Sequence, residues 1–148
     1  MPVYEEPADG LTVAAEALAD WTVRLVEAAG TPPEIATDVG EVLVAADRRG
    51  IASHGTARLP NYLALIEAGV MDPAATPVLE GGRAAFARFD ARNGWGHHAG
   101  RVAVDHAIEV ARVSGIGMTV VRNSNHYGIA AWYALRAARQ GLIGMSFT

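Results

Sequence analysis

Apolar residues recur at helical spacing from Leu11 to Ala29, at Ala14, Leu18, Trp21, Leu25 and Val26, and Gly30 stops the run. Thr31-Pro32-Pro33-Glu34 reads as a capping box with proline just inside the start. A second helix then extends to about Arg49, with Ile35, Val39, Val42, Leu43 and Ala46 on one face, and Gly50 closes it. After Ser53-His54-Gly55, the run TARLPNYLALIEAG turns Leu59, Tyr62, Leu63 and Ile66 inward and stops at Gly69. Pro60 is tolerated there because it falls in the first turn.

Residues 70–82, VMDPAATPVLEGG, carry three turn signals and mark the clearest break in the chain. Beyond them the pattern changes. Residues 84–89 read as short and extended, 97–114 as a helix, and 117–121 (GMTVV) as a buried strand. A helix over 129–140 ends at Gly141, and 142–148 (LIGMSFT) has the composition of a core strand. Strands alternating with helices imply a mixed α/β layer with parallel pairs. The expected organisation is a flexible arm over 1–10, a helical segment over 11–76, and the first part of an α/β domain over 77–148. A parallel sheet stopping at such a strand lacks its covering helices. The expectation is therefore a fold incomplete in this chain, completed by a second polypeptide segment.

Composition narrows the partners. Of 148 residues, 51% are hydrophobic and 19% charged, so a sizeable core is expected. The net charge of -4 offers no basic footprint for nucleic acid or an anionic membrane. The absence of cysteine removes disulfides, thiolate catalysis and thiolate metal sites. The stretch MPVYEEPADG is acidic and proline-broken, unlike a secretory leader, and no run reaches the ~18 apolar residues of a membrane span. The expectation is a cytoplasmic protein.

Two stretches carry candidate chemistry. In GIASHGTARL, Ser53 and Gly55 flank His54, and Arg58 follows four residues after the histidine. A plain reading makes Ser53 or Thr56 a helix cap and His54 a surface loop residue. The chemical reading pairs a histidine that moves a proton with a guanidinium that grips a carboxylate in two-pronged fashion, which suits a 2-keto or 2-hydroxy acid. In NSNHYG, Asn123 to Gly128 join a strand to a helix, where ligands gather in α/β sheets. A polar turn satisfying its own backbone is the alternative there. In Asn93-Gly94-Trp95-Gly96-His97-His98, the adjacent histidines diverge on a helix and lack metal-ligand spacing, so no metal is expected. Gly94 and Gly96 read as a turn entering that helix.

The stretches ADRRGIASHGTARLPNY, IEAGVMDPAATP, DARNGWG, SGIGMTVVRNSNHYGIAAWYA and GLIGMSFT resemble the malate/L-lactate dehydrogenase family, which includes sulfolactate, ureidoglycolate and diketogulonate dehydrogenases. The resemblance implies a non-Rossmann, sulfolactate dehydrogenase-like α/β fold, of which this chain would be the N-terminal portion. It implies reduction of 2-keto or cyclic 2-imino acids by NAD or NADP, held mostly by residues outside this chain, and a homodimer. Carried over, His54 is the proton donor, hydrogen-bonded with Ser53. Arg58 holds the substrate carboxylate. His126 and Asn125 line the substrate pocket, and His126, Tyr127 and Gly128 the nicotinamide. Where the family usually has Gly-Gln, this chain has Gly96-His97, a departure expected to alter substrate contacts. A second expectation follows from a break after Ser146-Phe147-Thr148. Self-cleavage there would leave an N-terminal Ser, Thr or Cys nucleophile on the following chain, making an amide hydrolase or acyltransferase on a dehydrogenase-like scaffold.

Overall fold

In the computed structural model, residues 12–148 are described; the expected arm and Leu11 lie outside them. Five helices and three strands follow in the order α1 (Ala15–Ala28), α2 (Pro33–Asp47), α3 (Leu59–Glu67), β1 (Val78–Arg83), β2 (Phe86–Asp90), α4 (Gly96–Ser114), β3 (Met118–Arg122) and α5 (Ala130–Ala138). Two short 3₁₀ turns, Ala52–His54 and Thr56–Arg58, join α2 to α3.

Helix α2 is the packing centre. Ile35, Val39, Val42, Leu43 and Ala46 are fully buried, as their spacing predicts. One side of α2 packs with Val26, Leu59, Tyr62, Met71 and Trp95. Val42 and Ala46 instead pack with Ile129, Trp132 and Tyr133. A Cβ at Gly40 would press on Val23 of α1, so the small residue sets how closely these helices approach. The inner stripe of α1 corrects the expected one. Thr22 and Val26 are buried, whereas Trp21 is 49% exposed. Thr22 can occupy the interior because its hydroxyl donates to the Leu18 carbonyl at 2.7 Å. The expected capping box also fails. Pro32 holds the N-cap position of α2 without a side-chain bond. The Thr31 hydroxyl instead accepts from the Trp95 indole N–H at 3.0 Å. A distant partner displaced a local one.

The sheet has the order β1-β2-β3, antiparallel between β1 and β2 and parallel between β2 and β3. Strand β1 occupies the end of the expected break. All six of its residues are exposed, so it carries no alternation of buried and exposed positions to read. Its Gly82 cannot take a side chain, because a Cβ would run into the Phe86 carbonyl across the hairpin. The extended segment expected from residue 84 begins at Phe86, since Ala84 turns with φ +50°. Strand β3 appears one residue later than predicted, and α4 is its crossover from β2. Gly115 caps α4 in the left-handed region at φ 79°.

The strand expected over 142–148 is absent. Among the described residues they pair with no sheet edge, and Ile143 and Phe147 stand 92% and 83% exposed. Apolar composition alone suggested a strand, but a strand exists only through a partner edge. Among the described residues no helix is long and apolar enough to cross a membrane.

The two-sided role of α2 is testable by truncation. Leu43→Ala should destabilise the protein by about 2–5 kcal/mol, while Val113→Ser, at an 89% exposed position, should lie within about 0.5 kcal/mol of the parent. Chemical denaturation of the two variants reads the difference.

Candidate active site

The loop bearing His54 is held from the end of α2. Asp47 Oδ2 accepts from the Thr56 backbone N–H at 2.9 Å and from the Thr56 hydroxyl at 2.7 Å. A Cβ on Gly55 would run into that carboxylate, so the glycine is required by the tether. Asp47 thereby sets the positions of His54 and Arg58 on either side of Gly55. Ser53 Oγ and His54 Nδ1 stand 2.9 Å apart.

The NSNHYG loop is held from the start of α4. Asn123 takes φ +49°, and its amide donates to both carboxylate oxygens of Asp90 at 3.1 Å. The Asn125 amide donates to the carbonyls of Asn93 and Gly94 at 2.9 and 3.0 Å. A Cβ on Gly96 would strike the carbonyls of Asn125 and His126. Gly96 therefore does more than enter the helix: it lets the loop lie directly on the first turn of α4. Gly128, at φ +79°, packs on Val42 and the His97 ring.

These two holds bring His54 and His126 together, with ring centroids 5.2 Å apart. The Tyr62 ring stacks on His126 with centroids 6.0 Å apart, its hydroxyl 2.7 Å from His126 Nδ1. Burial raises the Tyr62 pKa, and the Arg58 guanidinium beside its hydroxyl partly offsets the rise. Burial first, then the charges of Arg58 and His54, lower the His126 pKa. The site thus presents neutral imidazole and phenol with a permanent cation beside them, a surface that favours an anion.

The predicted residues separate into two groups. Ser53, His54, Arg58 and His126 converge. Asn125 lends its amide to the loop beneath. The Tyr127 ring stacks on Tyr133 at 4.9 Å, and its hydroxyl is 3.3 Å from Ser146 Oγ. The Gly96-His97 departure does not act by touching substrate, because His97 is 0% exposed. Its ring lies edge-on to Tyr62 at 5.3 Å, and neither nitrogen meets a partner among the described residues. Burial, followed by the nearness of His126, pushes its pKa down to about 3. His98 faces elsewhere: its Nδ1 is 2.7 Å from the Oδ2 of Asp38 on α2. No group of three His, Asp or Glu side chains suited to a metal occurs among the described residues.

Sequence reasoning treated Tyr62 as core and gave Asp47 no role. Tyr62 lies four residues after Arg58 and eight after His54, a helical interval that signals a shared face. Asp47 had one signal, a carboxylate one residue beyond the apolar face of α2. Two surface grooves, one of them lined by Val23, Arg24, Thr37 and Glu41 between α1 and α2, contain none of the candidate residues. The chemistry follows the histidines and not the concavity.

The sequence profile of malate/L-lactate dehydrogenase matches residues 13–148. The chain belongs to the malate/L-lactate dehydrogenase family. It is 44% identical over 133 residues to a malate dehydrogenase of Pyrococcus abyssi, covering 88% of this chain and 36% of that protein. It is 38% identical over 128 residues to a (2R)-3-sulfolactate dehydrogenase (NADP(+)) of Chromohalobacter salexigens, covering 85% of this chain and 38% of that one. Its fold superposes on malate dehydrogenase from Pyrococcus horikoshii OT3 with a TM-score of 0.86 at 37% identity, over 88% of this chain and 38% of that chain. The chain thus spans less than two fifths of the length of these family members. The expected α/β dehydrogenase fold is present over that part. The self-cleaved hydrolase has no support among these relatives, each of which is named a dehydrogenase.

The low pKa of His97 has a stability consequence. The ring stays neutral in the fold but takes up a proton near pH 6.5 once unfolded, so stability falls as pH drops from about 6.5 towards 3. His97→Gln removes that titration. Its unfolding free energy should depend less steeply on pH between 4 and 6, by up to ~1.4 kcal/mol per pH unit. Denaturant unfolding at several pH values measures the slope, and parallel curves for parent and variant would contradict the assignment.

Proposed function

We propose that this chain carries the proton-transfer and carboxylate-binding part of an NAD(P)-dependent oxidoreductase acting on a 2-keto or 2-hydroxy acid. The observation that carries the reading is the meeting of His54 and His126 at 5.2 Å beside Arg58. In a keto acid the carboxylate and the reacting carbonyl are on adjacent carbons. One guanidinium and one acid catalyst on a single short loop match that spacing. Arg58 holds the carboxylate in two-pronged fashion. His54 gives its proton to the carbonyl oxygen as that oxygen gains charge, with Ser53 on Nδ1 steadying the ring. In the oxidation direction His54 takes the proton back.

The residues assigned to the nicotinamide fit it at one point. Among the described residues the Nε2 of His126 makes no hydrogen bond, while its Nδ1 is engaged. Tyr127 stacks on Tyr133, and Gly128 lies against Val42 and the His97 ring. When bound, the nicotinamide supplies or accepts the hydride at the carbon bearing the oxygen. The names of the relatives support this reading: they include malate and sulfolactate dehydrogenases, one of them marked NADP(+).

The full-length gene product should oxidise NADH or NADPH with at least one member of a panel of 2-keto acids. Failure with all of them would reject the reading. In the active enzyme, His54→Ala should lower kcat by about 10²–10⁴-fold with a smaller change in KM. Arg58→Lys should chiefly raise KM for the acid, because an ammonium lacks the planar fork. Steady-state kinetics separates the two effects.

A further inference from the structure

The Nδ1 of His126 faces two groups. The Tyr62 hydroxyl is 2.7 Å away, and the Gly128 backbone N–H donates to the same nitrogen at 3.3 Å. A backbone N–H can only donate. It therefore requires a lone pair on Nδ1, and Nδ1 carries no proton. With no proton on Nδ1, the Tyr62 hydroxyl at 2.7 Å is the donor of that bond. We propose that Tyr62 is a positioning residue which, together with the Gly128 N–H, fixes His126 as the neutral tautomer with its proton on Nε2, so that His126 offers the substrate a hydrogen-bond donor and not a cation. The donor role rests on the oxidoreductase reading above; the tautomer does not.

The groups around the ring agree. His54 and Arg58 approach from the loop, Tyr62 from α3 and the neutral His97 from α4. Among the described residues the charges acting on the ring are those of Arg58 and His54, and both disfavour a second proton on it. Gly128 is needed for more than its backbone N–H: a side chain there would collide with Val42, and its φ of +79° is strained for any other residue. The same glycine that allows the loop to close thus delivers the donor that sets the tautomer. The arrangement divides labour between the histidines. His54 is the proton donor of the reading above, whereas His126 keeps one state.

Long-range ¹H–¹⁵N correlation spectra of the full-length protein with ¹⁵N-labelled histidine test this directly. The His126 signals are assigned by their loss in His126→Gln. At pH 7.5 the expected pattern is one protonated Nε2 and one unprotonated Nδ1. In Tyr62→Phe, which keeps the ring packing, that pure pattern should give way to a mixture of tautomers, and the titration midpoint of His126 should rise. A proton on Nδ1 of the parent protein, or a doubly protonated ring at pH 7.5, would overturn the proposal. An unchanged spectrum in Tyr62→Phe would overturn the role of Tyr62. Because none of these readings needs turnover, an enzyme inactive on every keto acid would reject the oxidoreductase reading and leave the tautomer assignment to the spectra.

Discussion

The burial of α2 on two sides is the constraint from which the rest follows. Its residues Val39 and Leu43 close one apolar cluster with α1, α3 and Trp95, and Val42 and Ala46 close another with α5. A helix used in this way cannot shift along its axis without opening both clusters. At about 25 cal/mol per Å² of apolar surface, each fully buried aliphatic side chain is worth roughly 1.5–3 kcal/mol. The residues at the ends of α2 inherit that rigidity. At its C-terminal end stands Asp47, so the tether to Thr56 starts from a fixed point.

Polar chemistry is then placed by close backbone approach more than by side-chain reach. Gly55 lies against Asp47, Gly96 against the carbonyls of the 125–126 loop, and Gly128 against Val42 and His97. Each glycine removes a methyl group's worth of separation where a loop meets a helix. The outcome is that two loops 72 residues apart in the chain, one carrying His54 and the other His126, present their rings to each other at 5.2 Å. The carboxylate of Asp90 does similar work from the sheet, holding Asn123 and Arg122 at the tip of β3.

The electrostatics of the site come from burial. His97, with no partner for its ring nitrogens among the described residues, cannot keep a charge in the interior and behaves as an aromatic wall. Tyr62 is pushed towards its neutral form by the same burial. Arg58 stays charged in any protein environment. A carboxylate at such a site would meet one permanent cation and neutral rings, which supports the proposed role of Arg58 in anion recognition. The exposed salt bridges of Arg88 and Arg122 with Glu80 lie on the sheet and contribute little by comparison.

Much of this was legible in the residues themselves. Helix α2 was readable because its inner face repeats at 3.6-residue spacing without interruption, and β3 because five mostly apolar residues lie between a glycine and a polar turn. His54, Arg58 and the NSNHYG loop stood out because their residue types exceed what a turn needs. What tertiary structure alone decided were matters of partnership. Strand β1 exists because β2 pairs with it, although its own residues bury nothing. LIGMSFT has strand composition but finds no partner edge among the described residues, and there it is not a strand. Thr31 left its cap for the Trp95 indole 64 residues away. Tyr62 read as an ordinary core position, and His97 as a departure expected to alter substrate contacts, until folding set both rings beside His126. Local propensity and periodicity describe a residue with its near neighbours. Pairing, burial of charge and the direction of a hydrogen bond depend on groups that only the folded chain brings within reach.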